Sequence, residues 1–281
     1  MKYILIFIFF CFTTQLVLGQ DAQTVKESKP FVLGAIKEIN SIVLAEKRIL
    51  NIYLPGGYNK NDTIKYPVIY LLDGSADEDF IHIAGLIQFF NFPWVNMLPN
   101  SILVGIANVD RKRDFTFPTT IEKDKKDLPT TGKSEKFISF IESELQPFIE
   151  RNYKTTESKT IIGQSLGGLL ATEILYKKPA LFTNYIIVSP SLWWDGESLL
   201  KREPNVLKPD FTKPISLFIA VGKEGKIMET DTKKLVRILK KGHKENLSVN
   251  FEYFKAENHS SILHNAVYKG FEIMNKPPKK K

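Results

Sequence analysis

The chain has one cysteine, Cys11, and four histidines in 281 residues. Cys11 sits in the leading stretch MKYILIFIFFCFTTQLVLGQ. With that leader removed the chain has no thiol, so no disulfide and no thiolate metal site can form. The fold must then be held by its core alone, which a chain of this length can supply. Four scattered histidines argue against a bound zinc, and no metal or other cofactor is expected. The chain also lacks any apolar run of the roughly 20 residues needed to span a bilayer. Tyr3–Phe12 is too short. Lys2 before it and Val17-Leu18-Gly19 before Gln20 make residues 1–19 read as a signal peptide. Export to a bacterial periplasm or beyond is expected, with no stable membrane insertion after cleavage. The net charge is +8, but no basic stripe is interleaved with aromatics, so nucleic acid is not an expected partner. Part of the charge lies in the terminal KPPKKK, and a basic balance favours anionic substrates only as a field effect.

There is no internal repeat and no low-complexity linker. A polar lead over 20–40 precedes a domain over 41–274, and 275–281 form a basic tail. Within the domain, short apolar runs alternate with helical patterns. The runs are two in SIVLAEKRILNIYLP (41–55), then YPVIYLLDG (66–74), SILVGIAN (101–108), TIIG (160–163), NYIIVSP (184–190) and ISLFIAVG (215–222), with the more alternating SVNFEYF (248–254) last. Helical periodicity marks 80–90, 133–152, 166–179 and 231–243; in the second, Phe137, Ile138, Ile141, Leu145 and Phe148 form one stripe. Apolar strands alternating with helices predict an α/β fold with a mostly parallel sheet covered on both faces. The long polar segment 109–132 leaves the C-terminal end of a strand, where such sheets carry their sites.

The stretch TIIGQSLGGLLATEILY (160–176) puts Gly-Gln-Ser-Leu-Gly-Gly between a strand and a helix. A serine hydroxyl needs a base and oxyanion donors to act as a nucleophile. A sharp strand–Ser–helix turn exposes the hydroxyl and aims a helix N-terminus at developing charge, and Gly163 and Gly167 permit its close packing. Ser165 is therefore the candidate nucleophile. His82 precedes it, His243 lies in a lysine-rich helix end, and His264 falls within an apolar helix pattern. His259 follows the last strand, where this chain order places the base. Glu224, just past ISLFIAVG, is the favoured acid; Asp231, near Glu229, and Asp195 are alternatives. The oxyanion donors are expected at Leu166 and at Gly74 or Ser75 of LLDGS.

YPVIYLLDG, RKRDFTFP (111–118), GQSLGG, SPSLWW (189–194), VGKEG (221–225) and ENHSS (257–261) occur in an order that resembles the putative-esterase family of α/β-hydrolases. That family includes feruloyl and acetylxylan esterases, mycolyltransferases and ferric enterobactin (siderophore) esterases. The resemblance runs from about Ser41 to Met274 and is strongest to the siderophore branch through SPSLWW and the Arg-x-Arg-Asp segment. It implies a serine esterase working through an acyl-enzyme on a small-molecule or glycan ester. It also implies that Arg111, Arg113, Trp193 and Trp194 border the substrate. Some siderophore-esterase relatives work with a Ser–His pair and no acid. An acyltransferase using the same site, or a non-catalytic binding protein on the scaffold, are the alternative readings.

Overall fold

The structure, a computed structural model, describes residues 27–275. The expected signal peptide and residues 276–281 of the basic tail lie outside the described residues. Residues 33–275 form one compact unit.

Eight strands form one sheet in the order β1-β2-β4-β3-β5-β6-β7-β8. They are β1 Ala35–Ser41, β2 Glu46–Tyr53, β3 Tyr66–Leu71, β4 Ile102–Ile106, β5 Thr155–Gln164, β6 Asn184–Val188, β7 Ile215–Gly222 and β8 Leu247–Phe254. β1 and β2 pair antiparallel, β2 meets β4 antiparallel, and every pairing from β4 through β8 is parallel. The apolar runs became strands because both faces of a parallel sheet are covered. Ile161 packs with one core cluster and Ile162 with the other, as the two-residue period of a strand requires.

The first of the two runs in SIVLAEKRILNIYLP is not a strand. Ile42–Ala45 make the turn of a hairpin, with Ala45 at φ 54° and Ser41 paired to Glu46. All but the last residue of the partner strand β1 lies within the segment read as a polar lead, because an edge strand with an exposed face carries no continuous apolar signal. Glu144 ties this turn down, accepting from the backbone N–H groups of Ile42 and Val43.

The helices are α1 Phe80–Asn91, α2 Arg111–Phe115, α3 Glu122–Asp127, α4 Ser134–Phe140, α5 Gln146–Asn152, α6 Leu166–Lys177, α7 Trp194–Glu197, α8 Lys226–Lys241 and α9 Ile262–Met274. A π-type turn over Ile141–Leu145 joins α4 to α5, so the periodic stripe stays continuous: Phe137, Ile138, Ile141 and Leu145 are buried. α1 and α9 supply Ile83, Ile87, Val267 and Phe271 to one face of the sheet; α4, α6 and α8 supply Phe137, Ile174 and Leu235 to the other. Among the described residues no helix is long and apolar enough to cross a membrane. The 109–132 segment is not structureless. It holds the short helices α2 and α3, and α2 is fixed by charge: fully buried Arg48 bridges Glu46 and Asp114 at 2.7 and 2.8 Å.

Candidate active site

Parallel strands put their C-terminal ends on one edge of the sheet, and the loops leaving β3, β5, β6, β7 and β8 meet there. β5 ends at Gln164, and α6 begins at Leu166. Ser165 alone makes the reversal, at φ 59° and ψ −120°, a conformation L-residues seldom adopt. Its N–H is held by the Val188 carbonyl at 3.1 Å, and its carbonyl accepts from Leu169 and Ser191. The turn closes because Gly163 lacks a side chain: a Cβ there would lie 2.4 Å from the Gly167 carbonyl oxygen. The Ser165 hydroxyl is thereby lifted into a cavity of about 460 Å³ lined by Asp73, Glu78, Asp79, Arg111, Gln164 and His259. A depression of about 520 Å³ beside Lys177 and Phe211, at the far end of α6, contains none of these groups.

His259 follows β8 and lies before α9. Its Nδ1 is 2.6 Å from Glu224 Oε2, and its carbonyl accepts from the Gln164 side chain. Glu224 sits just past β7 with its side chain 2% exposed, whereas the His259 ring is 45% exposed. Burial pushes the Glu224 carboxyl up, but hydrogen bonds from His259, Ser189 and the Gly222 N–H outweigh it and hold the group below its ordinary value. Glu224 is therefore a carboxylate under the imidazole at neutral pH. Ser165 Oγ lies 3.3 Å from Ser191 Oγ, and no Ser165–His259 hydrogen bond is among those of the described residues. Apo sites commonly close that bond only around substrate.

The other two carboxylates stand elsewhere. Asp195 accepts from the Thr120 N–H and from the hydroxyls of Thr119 and Thr120, tying α7 to the segment before α3. Asp231 is buried on α8 and is pushed up to about 6 by burial and the Glu197 charge. Neither bonds His259.

On the oxyanion side, the Leu166 N–H belongs to the first helical residue of α6 and has no carbonyl one turn back to meet. Gly74 is a correction: its N–H is spent on the Ile106 carbonyl at 3.1 Å, so it cannot serve the oxyanion. Gly74 is needed instead for close approach, since a Cβ there would meet Gly105 Cα at 2.4 Å. That leaves Ser75 as the second expected donor.

The four residues expected to border the substrate separate sharply. Arg111 reaches the cavity but is already engaged: Nε and Nη2 clamp both oxygens of Asp73 at 2.7 and 2.9 Å, and Nη2 reaches the Gln164 carbonyl. Arg113 faces away, in an ionic cluster with Glu46 and Asp114 that braces α2. Trp194 is fully buried and donates Nε1–H to the Phe117 carbonyl. Trp193 packs against the same core and meets Trp194 edge-on. Neither ring lines the cavity, because apolar rings gain more from the core than from an open polar rim. Sequence reasoning missed Asp73, Glu78, Asp79 and Gln164 as cavity residues, and Ser189 as a partner of Glu224. Ser189 was visible in SPSLWW, but nothing local joined it to a residue in the loop after β7. Among the described residues no three His, Cys, Asp or Glu side chains are grouped to hold a metal ion.

Comparison with known proteins agrees with this architecture. The family model described as "Putative esterase" matches residues 41–268. The ferri-bacillibactin esterase BesA of Bacillus subtilis is 31% identical over 237 residues, covering 78% of this chain and 82% of that protein. Among solved structures, an IroE-like serine hydrolase from Shewanella oneidensis superposes with a TM-score of 0.77 at 31% identity, covering 86% of this chain and 80% of that one. The BES protein from Bacillus cereus gives 0.79 at 28% identity, over 90% and 99% of the two chains. The chain belongs to the "Putative esterase" family, carboxylic ester hydrolases built on the α/β-hydrolase fold.

Proposed function

We propose that the protein hydrolyses esters through Ser165, His259 and Glu224, by way of an acyl-enzyme. The observation that carries this reading is the 2.6 Å contact of His259 Nδ1 with the buried Glu224 carboxylate, in a cavity shared with Ser165 at its strained turn. Ser165 Oγ attacks the ester carbonyl as His259 Nε2 takes its proton. The N–H groups of Leu166 and Ser75 hold the oxyanion. The alcohol leaves with the proton from His259, water then gives its proton to His259 and attacks the acyl-enzyme, and the acid departs as Ser165 regains its hydrogen. Glu224 keeps the imidazole in the Nδ1–H tautomer and stabilises the imidazolium.

The substrate class we propose is a siderophore ester, on the strength of the likeness to a ferri-bacillibactin esterase. Export through residues 1–19 belongs to the same proposal, supported by the charged start and the short apolar run. The test is hydrolysis of p-nitrophenyl butyrate and of a ferric siderophore triester by the chain beginning at Gln20, wild type beside Ser165→Ala. Both activities should vanish in the variant. An unchanged rate in folded Ser165→Ala ends the reading, and cleavage of the model ester with none of the triester removes the substrate class alone.

A further inference from the structure

β6 ends at Val188, and the next residue, Ser189, is fully buried with φ at 43°. A residue with a Cβ carries a conformational cost there that glycine would avoid. The backbone does not explain the choice of side chain, because the Ser189 N–H bonds the Ala220 carbonyl at 2.8 Å whatever the residue type. What serine adds is a hydroxyl, and that hydroxyl donates to Glu224 Oε1. The Gly222 N–H donates to the same oxygen at 2.9 Å, while Oε2 faces His259. One carboxylate oxygen is thus held by two donors, one just past β6 and one at the end of β7, and the other faces the imidazole. Strain held by a fully determined surrounding is a reason to look for function at that position.

We propose that Ser189 is a positioning residue: it fixes Oε1 of Glu224 so that Oε2 is presented to His259 in one orientation. This rests on the triad reading above. A carboxylate free to turn about its last torsion would share the imidazole between geometries, and terminal torsions of this kind are broad. The hydroxyl also favours the charged form of Glu224.

Ser189→Gly removes the hydroxyl and relieves the backbone strain, so the fold should hold. We expect kcat/KM on p-nitrophenyl butyrate to fall about tenfold. The acid limb of its pH profile should move up by about half to one pH unit, because a carboxylate with one donor fewer holds the protons of the pair more tightly. Ser189→Cys, close in size and a weaker donor, should fall between the two and keeps the question open to measurement if glycine loosens the loop. In a Glu224→Ala background Ser189→Gly should cost nothing further, since its effect runs through the carboxylate. An unmoved rate and pH limb in Ser189→Gly, beside a large loss in Glu224→Ala, would overturn the Ser189 proposal and leave the triad standing. The same fractional loss in both backgrounds would also overturn it, showing a merely structural role. Full activity in Glu224→Ala and Ser165→Ala would remove the triad and this proposal with it.

Discussion

Replacing Gly163 by alanine tests how tightly the turn at Ser165, the proposed nucleophile, is built. The added Cβ would lie 2.4 Å from the Gly167 carbonyl oxygen and 2.6 Å from its carbon, both backbone atoms, and 3.0 Å from Leu72 Cδ1. Ordinary contact begins near 3.4 Å. The first turn of α6 must therefore retreat by about 1 Å, since backbone cannot swing aside as a side chain can. That turn carries Ser165 and the Leu166 N–H. A displacement of about 1 Å at reacting groups costs up to about 100-fold in rate, and overpacking of this kind costs about 1–3 kcal/mol of stability. Gly85→Ala in α1 is the matched control: its Cβ would have nothing within 4 Å, and alanine in a helix should add about 0.5–1 kcal/mol. The assay is kcat on p-nitrophenyl butyrate with urea unfolding of both variants. Wild-type kcat and stability in Gly163→Ala would refute the close packing on which the geometry of Ser165 rests.

Two further predictions concern charge. Asp79 in the cavity is pushed up to about 6 by burial and by the charges of Asp73 and Glu78, against Arg111. The folded chain then holds that proton to higher pH than the unfolded chain, with its ordinary value of 3.8, so the carboxyl lowers stability above about pH 6 and not below 3.8. Asp79→Asn should gain up to about 1 kcal/mol at pH 7.5, a figure reduced for its 30% exposure, and the gain should fade toward pH 4; equal effects at both values in urea unfolding would contradict this. Arg48→Ala should cost about 3–5 kcal/mol, because it strips a fully buried guanidinium from Asp114 and from the Phe137 ring 5.0 Å away. Lys47→Ala, which breaks only the exposed pair with Glu38, should leave stability nearly unchanged, and comparable losses in the two variants would show that the α2 brace is not what burial makes it.

The α/β class, the strands from β2 to β8 and the long helices were legible because apolar runs and helical periods are local signals. Glycines around Ser165 and the chain order Ser165, Glu224, His259 likewise lay open in the sequence, since a sharp turn needs small residues at fixed offsets. β1 was hidden by its exposed face, and the run Ile42–Leu44 misled because a hairpin turn covered by Glu144 can be as apolar as a strand. Which residues meet was a tertiary matter. Glu224 rather than Asp195 or Asp231 reaches His259 only because β7 and β8 are parallel neighbours, which brings both loops to one edge. The Gly74 N–H was lost to Ile106 on the adjacent strand, Arg113 and Trp194 were drawn inward by Glu46, Asp114 and Phe117, and Arg111 was claimed by Asp73. Which elements form and which residues are candidates for the chemistry can be read along the chain, because those properties depend on sequence neighbours. The tertiary structure alone decided which donors and charges remain free for a substrate, because hydrogen bonds across strands are assigned by sheet order and register.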